Sequence, residues 1–198
     1  QLVVHKINKA TVQHYSRYGF DPALVVPSSK KDPNKMWKDI EGLINGMKDN
    51  YLRTLVNNIY QANKSKLMIH PASVKMHHNF RSGFLEHILT MAQIAKKISP
   101  LYVVERDLVF GGVVLHDIGK LIEINSEYEA EYTDEGNLIG HIVIGRDIIR
   151  DAVKKIKNFP SDLAQKMEHI ILSHQGRYEW QSPKMPSFPG ALLVHMID

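Results

Sequence analysis

The chain has 198 residues, with 43% apolar and 23% charged residues and a formal net charge of +4. This length favours one globular domain, or one domain with a fragment of another. Cysteine is absent, which excludes disulfides and cysteine-ligated zinc, and no apolar run is long enough to span a bilayer. We therefore expect a cytoplasmic protein without a membrane partner, and any metal ion must use histidine or carboxylate ligands.

The N-terminal part of the chain differs from the rest. Residues 1–12 are rich in β-branched side chains with partial alternation, which predicts a strand, but no partner strand follows. Residues 19–33 contain three prolines and a small polar cluster, which is typical of a linker. Because the chain begins with Gln1 and not with methionine, we expect a fragment whose upstream domain has been cut away.

From residue 33 onward, apolar side chains recur at helical spacing and predict an all-α body. Asp32 followed by Pro33 is typical of a helix start and predicts a helix over 33–49. Ser82 is a candidate cap for a later helix, and residues 121–133 are interpreted as a loop or short hairpin. The same periodicity predicts further helices over 50–62, 83–98, 105–117, 136–157 and 160–174, and a final helix ending at 198.

A short stretch in the middle of the chain carries the clearest chemical signal. The apolar run from Gly111 ends in the pair His116-Asp117, followed by Gly119 and Lys120. At helical spacing this imidazole and carboxylate point into the apolar side of the helix. A buried carboxylate needs a partner of opposite charge, which a metal ion or a buried arginine or lysine would supply. Lys120 returns near the same side of the helix one turn later.

Further residues that can bind metal lie on the stripes or at the ends of other helices. These are His87, His141, His174 and Asp198. A single histidine on an apolar face is commonly a core residue with its own hydrogen-bond partners. Together with His116 and Asp117, these residues make a set of six, four of which lie at or near a helix end, where several helices can converge on one pocket. The spacing therefore leaves a metal site and ordinary core histidines as alternatives.

Five stretches in a fixed order carry a family resemblance. They are Phe80–His87, Leu115–Lys120, Tyr132–His141, Leu172–Gly176 and Trp180–Lys184. Together they resemble the HD-domain metal-dependent phosphohydrolase superfamily, and within it the bacterial YhaM-type 3′-5′ exoribonucleases. The resemblance covers residues 70–198 well and 1–69 loosely. It implies an HD-domain helical bundle over 33–198, preceded over 1–32 by the last strand and linker of a truncated OB-fold module.

The resemblance also implies a set of metal ligands. His87, His116, Asp117 and Asp198 match the four-residue signature of the superfamily, and the two additional histidines, His141 and His174, match the members that hold two metals. Asp117 would be the bridging carboxylate. The cofactors would be two divalent ions, with manganese expected first and iron, cobalt, nickel, zinc or magnesium as alternatives.

The activity implied by the resemblance is a metal-dependent phosphodiesterase, a 3′-5′ exoribonuclease that releases nucleotides from single-stranded RNA by two-metal water activation. Asp117 and Lys120 would be catalytic, with the lysine beside a phosphate oxygen. Expected substrate contacts are Arg81, Gln175, Trp180 and Lys184. Gln175 stands where members of the family often carry a histidine. The alternative for the other three is a solvated arginine, a solvated lysine and a tryptophan that closes its loop onto the core.

Two other functions remain open. One is a nucleotide or cyclic-dinucleotide phosphohydrolase on the same scaffold. The OB-like N-terminal remnant argues against it, because it favours a polymeric substrate such as single-stranded RNA. The other is a non-catalytic RNA-binding or regulatory HD module. The presence of all six expected ligands argues against this alternative.

Overall fold

The computed structural model describes residue 3 and residues 26–75, 78–126 and 130–198. The strand predicted over 1–12 lies outside these residues except for residue 3, and so does the linker up to residue 25. The helices of the described part are α1 (Pro33–Asn45), α2 (Asn50–Ala62), α3 (Lys64–Leu67), α4 (Gly83–Ile98), α5 (Arg106–Leu115), α6 (Lys120–Glu123), α7 (Asp134–Leu138), α8 (His141–Lys154), α9 (Ser161–Ser173) and α10 (Pro189–Ile197). Short 3-10 turns cover Ser99–Leu101 and Tyr178–Trp180, and the strands β1 (Ile124–Asn125) and β2 (Glu131–Tyr132) pair antiparallel. The predicted all-α body is confirmed.

Helix α5 is the centre of the bundle. It packs against α2, α4, α9 and α10, and every residue from Leu108 to Leu115 is buried. A helix that is apolar on all sides is stable only when other helices surround it, which accounts for the continuous apolar run in the sequence. The hydroxyl of Tyr60, on α2, donates a hydrogen bond to the carbonyl oxygen of Val114 at 3.0 Å. The C-terminal end of α5 is thereby held deep in the core.

Helix α1 begins as predicted but ends earlier. The Asp32 carboxylate accepts a hydrogen bond from the backbone N–H of Asn34 at 2.9 Å, which confirms the cap. The helix was expected to reach residue 49, but it ends at Asn45. A carboxylate from the start of α5 explains the difference, because Asp107 accepts the backbone N–H groups of Lys48 and Asp49 at 2.6 Å each.

The prediction of one continuous helix over 136–157 is wrong. The segment is divided into α7 and α8 at Gly140, whose φ of +79° favours glycine and interrupts the helix. Leu138 is 83% exposed on the separate helix α7. His141 is consequently the first residue of α8, at a helix N-terminus.

The expected cap at Ser82 is also wrong. Ser82 directly precedes α4, but its φ is +64° and its side chain does not bond the helix. Its hydroxyl instead donates to the carbonyl oxygen of Met68 at 2.7 Å. This contact ties the start of α4 to the segment after α3. The end of α4 is as expected, since the helix stops at Ile98, before Pro100.

Within the ranges described above, no helix has both the length and the apolar character that crossing a membrane requires.

Candidate metal centre

The six predicted ligands converge on one pocket, although they come from five different helices. His87 lies on α4, and the pair His116-Asp117 lies in the turn directly after α5. The other three residues lie at the ends of further helices: His141 starts α8, His174 follows α9 and Asp198 follows α10. Helices α4, α9 and α10 all pack against α5, and the residues they carry reach the turn at its C-terminal end.

The carboxylate of Asp117 lies between two groups of histidines. Its Oδ1 is 3.4 Å from His141 Nε2 and 3.7 Å from His174 Nε2. Its Oδ2 is 3.1 Å from His116 Nε2 and 4.0 Å from His87 Nε2. The two oxygens of a single carboxylate, itself 2% exposed, therefore face different histidine pairs.

Asp198 joins the second of these groups. Its Oδ1 lies 3.5 Å from His87 Nε2 and 3.6 Å from His116 Nε2. Two triads share Asp117: one also contains His87 and His116, and the other contains His141 and His174. Within each triad, one possible ligand atom per residue lies within 4.8 Å of the others. The pocket thus offers two adjacent donor sets of the nitrogen and oxygen type that divalent transition metals accept.

Hydrogen bonds donated by Nδ1 orient three of the histidine rings. His116 donates from Nδ1 to the carbonyl oxygen of Val113 at 2.8 Å, and His174 donates to that of Ile171 at 2.7 Å. His141 Nδ1 lies 2.9 Å from the Glu123 carboxylate. Carbonyl and carboxylate oxygens only accept, so Nδ1 carries the hydrogen in each ring and Nε2 is directed into the pocket.

A cation fits the centre of this pocket. Among the described residues, Asp117 Oδ1 and the Nε2 atoms of His116, His141 and His174 are buried without a hydrogen-bond partner. Nitrogen lone pairs that face a carboxylate oxygen repel it unless a positive charge lies between them. His116 Nε2 and Asp117 Oδ2 lie 3.1 Å apart, so a positive charge at this point, a proton or a metal ion, stabilises the contact. The donor atoms present therefore suit divalent metal ions.

The carboxylates make the pocket strongly attractive to positive charge. Burial lowers the pKa of His116, but the neighbouring carboxylates of Asp117 and Asp198 outweigh it and raise that pKa to about 9. Burial raises the pKa of Asp117, yet the charges of His116 and Lys120 hold it well below its usual value. Burial, together with the charge on His116, lowers the pKa of His174 to about 4, which keeps this ring neutral and able to bind metal near pH 7.

Lys120 contributes a positively charged side chain to the site. Its Nζ donates a hydrogen bond to Asp117 Oδ2 at 2.7 Å, and it lines a cavity of about 500 Å³ together with His141. Burial would lower the pKa of this ammonium, but the Asp117 carboxylate outweighs burial and raises it. The lysine therefore stays charged at the wall of the cavity.

Glu123, at the end of α6, belongs to the site although the sequence analysis missed it. Its Oε1 lies 2.9 Å from both the backbone nitrogen and Nδ1 of His141. The residue is 7% exposed. One signal could have identified it, because an acidic residue between the apolar Ile122 and Ile124 has to find a partner in the interior.

His195, one turn before Asp198 on α10, supports a ligand from a different helix. Its Nδ1 donates to the carbonyl oxygen of His174 at 2.8 Å. The position one turn before Asp198 suggests support for that aspartate, but the contact holds the backbone of His174 instead.

The expected substrate contacts are divided between different surfaces. Gln175 and Trp180 line the same 500 Å³ cavity as Lys120. Arg81 lines another cavity, of about 260 Å³, and its backbone forms a parallel bridge with Ser28. Lys184 is exposed, and it is not part of the described lining of the cavity beside Lys120. The structure thus brings two of the four predicted substrate contacts to the cavity lined by Lys120 and His141.

Comparisons with known proteins identify the family of the chain. The sequence model of the HD domain matches residues 84–198, which include all six converging side chains. The chain is 37% identical over 166 residues to the 3'-5' exoribonuclease YhaM of Bacillus subtilis (strain 168). That match covers 83% of this chain and 52% of the relative, so the chain spans about half of the relative's length. No solved structure matches the chain significantly. The match to the family model over more than half of the sequence shows that the chain belongs to the HD domain family.

Proposed function

We propose that the chain is the HD domain of a metal-dependent phosphodiesterase, a 3′-5′ exoribonuclease acting on single-stranded RNA. The observation that carries this proposal is the position of Asp117, whose two oxygens face two separate histidine groups. The similarity to a 3'-5' exoribonuclease supports RNA as the substrate. In this proposal the HD domain comprises residues 33–198, and residues 1–32 belong to an OB-fold module and the linker that follows it.

We assign the ligands of two divalent ions, manganese first, to the residues of the pocket. His87, His116 and Asp198 would hold one ion, His141 and His174 would hold the other, and Asp117 would contact both. When bound, such ions polarise a phosphodiester and lower the pKa of water. Asp117 has the required geometry because each of its oxygens already faces one of these groups.

The remaining residues of the cavity would bind and orient the RNA end. The Lys120 ammonium would attract a non-bridging phosphate oxygen, because its charge already lies at the cavity wall next to Asp117. Gln175 would offer an amide to the phosphate or ribose. Arg81 lines a different cavity, and Lys184 is exposed next to Pro183 at the rim of this one, so we assign both to phosphates further along the strand.

The test uses a single-stranded RNA oligonucleotide labelled at its 5′ end, with the protein reloaded with manganese. Stepwise shortening from the 3′ end with release of 5′-mononucleotides is expected. Hydrolysis of free nucleotides or cyclic dinucleotides alone would favour a nucleotide or cyclic-dinucleotide phosphohydrolase instead. Fewer than one metal ion per chain after reloading, by elemental analysis, would favour a non-catalytic module.

Trp180 is expected to stack a base of the substrate. Its ring is 53% exposed, lines the cavity, and lies under the Arg177 guanidinium at 4.9 Å. Base stacking on an aromatic side chain contributes about 1–3 kcal/mol. Trp180→Ala should therefore raise KM for RNA about 5- to 150-fold with little change in kcat, measured by steady-state kinetics.

Tyr178 supplies the matched control for this prediction. It lies in the same 3-10 turn and is 60% exposed, but it is not part of the described cavity lining. Tyr178→Ala should leave KM within about twofold of the original value. Equal effects of the two substitutions would show that Trp180 has no specific role in stacking.

A further inference from the structure

We infer that Glu123 is a positioning residue: it fixes the ring of His141 so that Nε2 faces Asp117, and it thereby controls the metal site formed by His141 and His174. The inference rests on the proposed function, because it concerns one of the two ions assigned above.

The contact is made by one carboxylate oxygen. Glu123 Oε1 accepts hydrogen bonds from both the backbone N–H and the ring Nδ1–H of His141, each at 2.9 Å. A ring held at its backbone and at one nitrogen by the same acceptor has little freedom to rotate. Its other nitrogen, Nε2, is left directed at Asp117 Oδ1, 3.4 Å away.

The position of His141 in its helix explains why a carboxylate is needed. His116 and His174 follow the C-terminal ends of α5 and α9, and each bonds the carbonyl oxygen three residues earlier. Carbonyl groups are free at helix C-termini, whereas N–H groups are free at N-termini. His141 begins α8, where the helix offers only donors, so its ring nitrogen requires an acceptor from elsewhere. A negative acceptor also makes the ring a stronger metal ligand.

Glu123 is itself held firmly. Its backbone N–H donates to the carbonyl oxygen of Gly119 at 3.0 Å, and its own carbonyl oxygen accepts the backbone N–H of Thr133 at 2.9 Å. The Thr133 hydroxyl lies 3.3 Å from that same oxygen. The backbone of Glu123 is therefore held by the turn after the His-Asp pair on one side and by the segment following β2 on the other, which places its carboxylate next to His141.

The test compares Glu123→Ala and Glu123→Gln with the unaltered chain. Binding of Mn²⁺ is measured by calorimetry and elemental analysis, and the His141 tautomer by ¹⁵N NMR of the metal-free protein. Glu123→Ala should weaken the binding of one of the two ions about 10- to 100-fold and leave the affinity for the other unchanged. The NMR signal of His141 should change from one tautomer to a mixture. Glu123→Gln, which keeps an acceptor without the charge, should give a smaller loss at the same site.

A cap that merely stabilises a helix would behave differently. Asp49 caps α2 by accepting the backbone N–H of Leu52, away from the pocket. Asp49→Ala should lower thermal stability while both Mn²⁺ affinities and the His141 tautomer stay unchanged. If Glu123→Ala reproduces that pattern, or weakens both ions equally, the inference is overturned. If Glu123→Ala does not fold, the selective loss in Glu123→Gln decides, and its absence overturns the inference.

None of these measurements uses RNA. A chain that binds two ions but does not cleave RNA would contradict the proposed substrate and leave the role of Glu123 standing. A chain that binds a single ion would contradict the two-metal site, and the tautomer of His141 would then decide the role of Glu123 alone.

Discussion

Asp117→Ala is expected to abolish binding of both metal ions and to reduce hydrolysis at least about 10³-fold. The reason is geometric, because within the described part of the chain this carboxylate is the one whose oxygens face both histidine groups. Its loss also leaves the Lys120 ammonium and the His116 ring without their nearest anion. Metal content after manganese reloading and the rate on single-stranded RNA measure the two effects.

The matched control replaces an aspartate at the surface. Asp151 forms an exposed ion pair with Lys154 at 2.8 Å, and such pairs contribute little to stability. Asp151→Ala should keep full metal content and full activity. Normal metal stoichiometry in Asp117→Ala would contradict the bridging role and the two-metal proposal with it.

Gly119→Ala is expected to disrupt the pocket by displacing α8. A Cβ atom at this position would lie 2.0 Å from the carbonyl oxygen of His141 and 2.7 Å from the backbone nitrogen of Gly145. These are backbone atoms, so no rotamer change relieves the contact. Urea unfolding should reveal a loss of about 1–3 kcal/mol or more, and metal analysis the loss of the ion at His141 and His174.

Gly42 provides the control for this substitution. It lies within α1, and a Cβ atom there would meet nothing within 4 Å. Since alanine favours a helix more than glycine does, Gly42→Ala should raise stability by about 0.5–1 kcal/mol with unchanged metal content. Unchanged stability and metal content in Gly119→Ala would contradict the close packing of α8 against the turn after the His-Asp pair.

Local patterns in the chain predicted much of the helical body. Apolar periodicity predicted α2 and α4 at the bounds observed, and the Asp32-Pro33 pair predicted the start of α1. Periodicity failed over 136–157, where Gly140 divides the segment. Helix ends depend on backbone conformation and on caps from distant residues, as when Asp107 bonds Lys48 and Asp49. The spacing of apolar residues carries no information about backbone conformation or about distant caps, so it cannot predict helix ends.

The candidate site divides in the same way. The positions on predicted helices, together with the family resemblance, singled out the residues that the structure brings together: His87, His116, Asp117, His141, His174 and Asp198. The role of Glu123 depends on a bond to a residue 18 positions away, and the separation of Arg81 from the 500 Å³ cavity depends on how the segment before α4 folds.

The sequence by itself determined the all-α class, the residues able to bind metal and the absence of cysteine ligands, because side-chain chemistry and periodicity are local properties. Only the tertiary structure decided that both oxygens of Asp117 face histidines, that His141 begins a helix and that Glu123 holds its ring. Those features arise where the ends of separate helices meet around α5, and distances between segments far apart in the chain are set by packing.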